Sequence, residues 1–126
     1  MKIVYIESDK ITGRLFSNAV KNVAGTIHCN VIATGLGVNS FLRDIPFVPH
    51  CIFIHHDFRD IPCKTLISLI RQQGLLHDTK IIVVCDYLTR VDFKGFELLK
   101  INGFMPLKMN LVKPLRQILM NTLIPI

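Results

Sequence analysis

Short apolar runs alternate with amphipathic stretches along the whole chain. The runs KIVYI (2–6), CIFI (51–54) and KIIVVC (80–85) are compact, and each is followed by polar residues. Between them, apolar residues recur every three or four positions, as on one face of a helix. Strands that alternate with helices in this way predict a parallel sheet with helices on both faces.

The helical spacing predicts five helices. The first begins at Lys10 with Ser8 or Asp9 as its N-cap, and it ends at Gly25. The others are predicted as a short helix over about 39–44, a helix from 62 to 73, one over 96–101 and one over 111–123. The stripe of the first helix that faces the core is predicted to be Ile11, Leu15, Ala19, Val20 and Val23.

Two weaker patterns complete the sheet. TIHCNVIA (26–33) alternates apolar with polar residues, which is typical of a half-buried strand near an edge, and GFMPLK (103–108) is a short fifth strand. The predicted fold class is therefore α/β: a flavodoxin-like three-layer (βα)5 domain with a five-stranded parallel sheet in the order 2-1-3-4-5. No linker or repeat interrupts it, so one domain over 1–126 is expected.

Composition narrows the classes of protein. No apolar run approaches the roughly 20 residues of a membrane-spanning helix, and the polar Glu7 follows the first strand at once, so a cytoplasmic protein without membrane contact is expected. The four cysteines have no C-x-x-C spacing and are predicted to be reduced, mostly buried thiols. The net charge of +6 is scattered along the chain, which favours a solvated basic surface over a nucleic-acid-binding stripe.

Ligands bind such sheets at the carboxyl ends of the strands, where this chain has IESDK (6–10), His55, Cys85 and Lys108. With these residues the chain resembles response-regulator receiver domains over nearly its full length. The acidic end of the first strand, which holds magnesium in that family, reads IESDK here. His55 takes the place of the phosphoacceptor aspartate, Cys85 that of the switching Thr or Ser, and Lys108 that of the lysine that pairs with the phosphate.

The resemblance implies a two-component signalling module, but several positions depart from the family. Of the magnesium positions Glu7, Ser8 and Asp9, the second offers only a weak neutral ligand. The imidazole of His55 is neither a good Mg²⁺ ligand nor a carboxylate nucleophile. These departures favour a pseudo-receiver that is not an enzyme, has no cofactor and works without phosphorylation. The alternative is an active receiver with Asp57 as acceptor, Glu7 and Asp9 on Mg²⁺, and Lys108 on the phosphate.

Other interpretations of the same residues stay open. His55 can be a hydrogen-bonded residue held between Glu7 and Lys108 without any ligand. His55, Asp57 and Glu7 together suit a transition metal such as zinc, although a complete ligand set is not evident from the spacing. TGLGVNS (34–40) mimics a dinucleotide-binding loop, but it precedes only a stub of predicted helix, and its glycines are interpreted as turn residues.

A module without a phosphate switch would act through its surface. In receivers the partner-binding or dimerisation face is formed by the fourth helix, fifth strand and fifth helix, and the resemblance implies the same face here for a protein partner or a second copy. A fused effector domain beyond residue 126 is another partner that the resemblance allows, whereas nucleic acid is ranked last. The residues expected on this face are Phe93, Phe96, Lys100, Phe104, Met105 and Lys113. The alternative for Phe96 is that it faces the core and leaves only Phe93 exposed.

Overall fold

The computed structural model of the chain describes residues 1–86, 93–107 and 110–123, without the side chains of residues 93, 97, 122 and 123. The strands are β1 Lys2–Ile6, β2 His28–Ile32, β3 Cys51–His55, β4 Lys80–Cys85 and β5 Gly103–Pro106. The helices are α1 Lys10–Val23, α2 Gly35–Asp44, α3 Cys63–Arg71, α4 Phe93–Glu97 and α5 Val112–Leu123, with a 3₁₀ turn at Gly74–Leu76. None of the helices within the described ranges is long and apolar enough to cross a bilayer.

The five strands form one parallel sheet in the order β2-β1-β3-β4-β5, which confirms the predicted fold class. β1 lies inside the sheet between β2 and β3, and β2 lies at an edge, as its weaker apolar pattern predicts. Residues 81–85 of β4 are all buried, as expected for a strand that helices cover on both faces.

Two apolar clusters fill the two faces of the sheet, because successive side chains of a strand point to opposite faces. Ile3, Tyr5 and Phe53 belong to the cluster under α1 and α5. Val4 and Ile54 belong to the cluster under α2, α3 and α4. All four cysteines are free thiols, and three of them are buried in these clusters, as predicted.

The buried face of α1 differs from the prediction. Ile11 and Leu15 are 71% and 58% exposed, and Phe16 is fully buried in their place. The Phe16 ring stacks on Tyr5, with 4.0 Å between ring centroids. Gly13 also faces β2 so closely that a Cβ there would lie 2.9 Å from a methyl of Val31. The aromatic contact and this close approach set the rotation of α1 and turn the Ile11–Leu15 line toward solvent.

α2 is longer than predicted, and its start corrects the interpretation of the glycine-rich stretch. Gly35 and Gly37 lie inside the helix, not in a turn, and Thr34 is the N-cap, whose hydroxyl accepts a hydrogen bond from the Gly37 amide at 3.0 Å. A Cβ at Gly37 would approach a methyl of Ile32 to 2.9 Å, so the glycine permits the helix to pack closely against β2.

α4 is shorter than predicted and ends at Glu97, before the residues that were assigned to its second half. Leu98 is 87% exposed and lies in the following turn. Lys100 has a φ of 57°, a left-handed conformation that stops a helix. The fifth helix is confirmed, because Leu111, Leu115 and Leu119 are buried at the predicted spacing.

Arg71, the last residue of α3, joins three segments at the amino-terminal edge of β4 and β5. Its guanidinium donates to the carbonyls of Leu76 at 3.3 Å, Thr79 at 2.8 Å and Lys100 at 2.9 Å. It also donates to the Asn102 amide oxygen at 3.2 Å, and that oxygen accepts the Ile81 amide at 2.8 Å. One side chain thus fastens the turns after α3 and α4 to the sheet.

Replacing this side chain should destabilise the protein strongly. We expect Arg71→Leu to lower the free energy of unfolding by at least about 2 kcal/mol, because hydrogen bonds to a charged group contribute about 1.5–3 kcal/mol each. Urea denaturation followed by circular dichroism measures the change. The matched control is Arg43→Leu, since the ion pair of Arg43 with Asp44 is largely exposed and such pairs contribute about 0–1 kcal/mol. Equal losses in the two variants would contradict the role of Arg71.

Candidate functional site

Three strands deliver ionisable side chains to the carboxyl edge of the sheet. Glu7 follows β1, His55 ends β3 and Asp86 follows β4. The register pairs Ile6 with Ile54, so Glu7 lies beside His55. His55 pairs with Val84, so Asp86 lies two residues beyond the level of His55 on the neighbouring strand. The backbone amide of Glu7 donates to the Ile32 carbonyl at 3.0 Å, which extends the pairing of β1 with β2 to the site.

His55 lies between two carboxylates. Its Nδ1 is 2.7 Å from Oε2 of Glu7, and its Nε2 is 3.3 Å from Oδ1 of Asp86. The contact with Glu7 is a close pairing of opposite charges when the ring is protonated. Both ring nitrogens face carboxylates, which when ionised only accept hydrogen bonds, and only the doubly protonated imidazolium donates from both nitrogens.

The contact of His55 with Glu7 matters because the Glu7 side chain is buried. The Glu7 side chain is 1% exposed, whereas that of Asp86 is 45% exposed. Burial of His55 alone would lower its pKa, but the adjacent Glu7 and Asp86 carboxylates outweigh burial and hold that pKa above its ordinary value. A buried carboxylate without a partner is costly, and the charged ring of His55 supplies one.

The turn after β3 brings Asp57 close to this pair. The His56 amide donates to the Val84 carbonyl at 2.8 Å, and the Phe58 amide donates to the His55 carbonyl at 3.1 Å. Phe58 is buried and anchors the turn in the core. Oδ1 of Asp57 lies 3.2 Å from Nδ1 of His56, and the Asp57 side chain is 70% exposed. Ligand atoms of His55, Asp57 and Asp86 all lie within 4.8 Å of one another.

Ser8 and Asp9, which were predicted to complete a magnesium site with Glu7, have structural partners instead. The Ser8 hydroxyl accepts the Arg59 amide at 2.9 Å. Asp9 is the N-cap of α1 and accepts the Thr12 amide at 2.8 Å, an interaction that lowers the pKa of Asp9. The predicted set Glu7, Ser8 and Asp9 is therefore divided between the buried site and the start of α1.

Cys85 and Lys108 are the other two predicted positions of the phosphate pocket. Cys85 is buried, and its thiol faces the Val83 carbonyl at 3.8 Å. Burial, with smaller contributions from Asp86 and Asp57, raises the pKa of the Cys85 thiol to about 11, so it is neutral and unreactive near pH 7. Lys108, which was predicted to pair with a phosphate or with His55, lies outside the described residues.

The glycine-rich stretch at the start of α2 does not present a free phosphate-binding terminus. The carboxylate of Asp60 accepts the Gly35 amide at 2.6 Å, and the Thr34 hydroxyl accepts the Gly37 amide. An internal carboxylate thus occupies the helix end that an anion would need. This observation supports the interpretation that TGLGVNS is not a dinucleotide fingerprint.

The predicted interaction face is only partly at the surface. Phe96 and Met105 are buried, at 1% and 0% exposure, so their placement on the face was wrong. Phe96 contacts the His56 ring at 5.9 Å and the Phe104 ring at 5.7 Å between centroids. Phe104 is partly buried, Lys100 and Lys113 are exposed, and the side chain of Phe93 lies outside the described residues.

Sequence reasoning did not include Asp86 in the site, because an aspartate after a strand is commonly a solvated or capping residue. The available signal was its position directly after the fourth strand, next to Cys85, at the edge where parallel strands hold ligands. Its contact with His55 could not be read from the sequence, since it depends on the register of β3 with β4.

The contact with Glu7 should be visible in the titration of His55. We expect His55 to titrate above its ordinary pKa of 6.5, and Glu7→Gln to lower that pKa. The charged ring therefore stabilises the fold fully below the unfolded-state pKa, and this stabilisation is lost as the pH rises through the raised folded-state pKa. NMR of the imidazole Cε1–H resonance with a chelator present measures both values, and His55→Gln assigns the signal. Titration at or below 6.5, or no change in Glu7→Gln, would contradict the contact.

The chain matches no protein-family profile, and no curated protein matches its sequence. Solved structures resemble it over nearly its full length. The phosphorylated cyanobacterial phytochrome response regulator RcpA aligns over 97% of this chain and 93% of its own, with a TM-score of 0.83 and 18% identity.

Two other solved structures also resemble the chain over nearly its full length. A two-component response regulator from Legionella pneumophila covers 98% of this chain and 99% of its own, with a TM-score of 0.83 and 15% identity. The chemotaxis response regulator CheY4 of Vibrio cholerae covers 96% and 97%, with a TM-score of 0.80 and 11% identity. At these identities the likeness establishes the fold, and the fold is that of a response-regulator receiver domain.

Proposed function

We propose that the chain is a receiver-type module of two-component signalling that is not an enzyme and works without aspartyl phosphorylation. The observation that supports this proposal most directly is the position of His55. It ends the third strand, where a receiver of this fold has its acceptor, and it contacts the buried Glu7 at 2.7 Å. An imidazole at that position cannot form the acyl phosphate that a carboxylate forms.

The charges of the site also oppose a magnesium-dependent reaction. Mg²⁺ requires hard oxygen ligands in a nearly octahedral arrangement. Here the charged ring of His55 already balances Glu7. Mg²⁺ binds imidazole poorly and so does not displace the ring proton, and the charged ring repels it. The Ser8 hydroxyl and the Asp9 carboxylate are engaged by the backbone of other residues. Glu7 is thus paired with a positive charge inside the protein in place of a metal ion.

The second candidate is an active receiver with Asp57 as acceptor. Its exposure and its position near Asp86 favour this alternative, because an acceptor must be reachable by a phosphodonor. It would also need Glu7 and Asp9 to bind Mg²⁺ and Lys108 to pair with the phosphate. Against it, Asp57 lies two residues beyond the end of β3, its carboxylate contacts His56, and Asp9 caps α1.

The output would then depend on a protein surface, for which we propose the face formed by α4, β5 and α5. Leu98 is 87% exposed there, and Lys94 and Lys100 flank it in the sequence. Exposed Lys113 and Arg116 add positive charge from α5. An exposed leucine among basic residues suits an acidic protein partner, whereas two copies of this face would repel each other. A nucleic-acid partner ranks below this, and its binding would weaken steeply with salt.

The test of phosphorylation is intact mass after incubation with Mg²⁺ and acetyl phosphate. We expect the native chain to stay unmodified, because the strand-end residue is not a carboxylate. His55→Asp restores a carboxylate next to Glu7, so Mg²⁺ should raise the melting temperature of that variant and leave that of the native chain unchanged.

Asp57→Asn is the control for the second candidate. If the native chain gains one phosphoryl group and Asp57→Asn does not, the site is a shifted but working acceptor, and phosphorylation-independent signalling is wrong. If both gain the group, the modified residue is not Asp57, and peptide mapping identifies it.

Sedimentation velocity distinguishes the two proposed partners of the α4–β5–α5 face. We expect the chain to sediment as a monomer over micromolar concentrations, since the face is basic in both copies. A dimer that Leu98→Asp dissociates, while the equally exposed Leu36→Asp on α2 does not, would assign the face to a second copy and contradict the acidic partner. If the chain is a monomer, site-specific photo-crosslinking from position 98, with position 36 as control, should yield a protein with an acidic contact surface.

A further inference from the structure

We infer that His55, Asp57 and Asp86 form a binding site for a divalent transition-metal ion of the zinc class, with Nε2 of His55 as its nitrogen ligand. This site differs from the magnesium positions of the receiver fold in its metal and in its ligands. It includes the aspartate after β4 and excludes Ser8 and Asp9. In the part of the chain that the structure describes, it is the one set of three such side chains whose ligand atoms converge within 4.8 Å.

The separation of the ligand atoms suits a small ion after modest side-chain rotation. Zinc binds histidine nitrogen and carboxylate oxygen at about 2.0–2.2 Å in tetrahedral sites, which places neighbouring ligand atoms roughly 3.3–3.5 Å apart. Nε2 of His55 and Oδ1 of Asp86 are already 3.3 Å apart. Asp57 is exposed, so its carboxylate can rotate toward the other two with little resistance from packing. Water can supply the fourth ligand from the open side.

The buried Glu7 is the independent observation that points to a ligand. Metal-bound histidines generally donate their other ring N–H to a carboxylate, which fixes the tautomer and aims the free nitrogen at the ion. Oε2 of Glu7 is buried and lies 2.7 Å from Nδ1 of His55, within reach of a hydrogen bond from the Nδ1–H. In the neutral ring this contact favours the proton on Nδ1 and leaves Nε2 as the atom that a metal can bind.

The charges favour a transition metal over Mg²⁺. Asp57 and Asp86 bring two negative charges close together, and a divalent cation neutralises both. An imidazole ligand suits zinc, nickel, copper or cobalt, whereas magnesium prefers oxygen ligands alone. Binding replaces the proton on Nε2 of His55 with the metal, so one proton is released to solvent for each ion bound when the ring starts as imidazolium.

The test is calorimetric titration of the chelator-treated chain with ZnCl₂, and in parallel with MgCl₂, near pH 7.5. We expect one Zn²⁺ per chain and no saturable heat from Mg²⁺ at the same concentrations. Asp86→Asn and His55→Gln should each weaken zinc binding by at least about tenfold, because each removes a ligand. Glu7→Gln should weaken it about 10–100-fold without changing the stoichiometry, since Glu7 is a positioning residue that only orients the ring.

Three variants act as controls. His77→Gln and Asp78→Asn alter exposed residues before β4, at the opposite edge of the sheet, and should bind zinc like the native chain. Cys29→Ser removes the one cysteine that is not fully buried and should do the same. Circular dichroism checks each fold, and Asp86→Asn carries the test if His55→Gln fails to fold, because Asp86 is exposed. Unsaturable zinc binding by the native chain, or equal affinity in Asp86→Asn, overturns the inference.

Discussion

The carboxylate of Glu7 is the group to which the rest of the site must adapt. It is almost completely buried at the end of a strand inside the sheet, where an unpaired charge is costly. The chain meets this requirement with His55 on the adjacent strand, and the other side of the same ring then attracts Asp86. The order of the strands therefore fixes which residues interact, and the chemistry of the site follows from the need to neutralise one buried charge.

The alternation of apolar runs and helical stretches predicted the fold almost completely, because the core of such a domain repeats the pattern in every unit. The details that failed depend on contacts between distant residues. Ile11 and Leu15 fit a helical stripe as well as Phe16 does, and only the stacking of Phe16 on Tyr5 decides the rotation of α1. At the start of α2 the Thr34 N-cap is a local signal, whereas Asp60, which accepts the Gly35 amide, comes from a later loop and cannot be read from local propensity.

The sequence predicted that the candidate residues lie at the carboxyl ends of the strands, and the structure places Glu7 and His55 there, but the sequence did not identify their partners. His55, Asp57 and Glu7 were recognised as candidates, whereas the pairing of His55 with Asp86 requires the register of two strands. Asp9 looked like a metal ligand because of its position, yet the first turn of α1 needs an acceptor and uses it. Phe96 and Met105 were assigned to the surface by resemblance, whereas the packing of this chain buries both.

The hydrogen bonds around Arg71 restrict the movement of the turn after α4. Asn102 forms two hydrogen bonds with Ile81, one through its side chain and one through its backbone amide, and Arg71 holds both Asn102 and Lys100. The turn after α4 is thus locked to α3 and β4 at one end of the sheet, while the site lies at the other. Displacement of this turn would break several interactions at once, so the turn should move together with α3 and β4 and not bend independently of them.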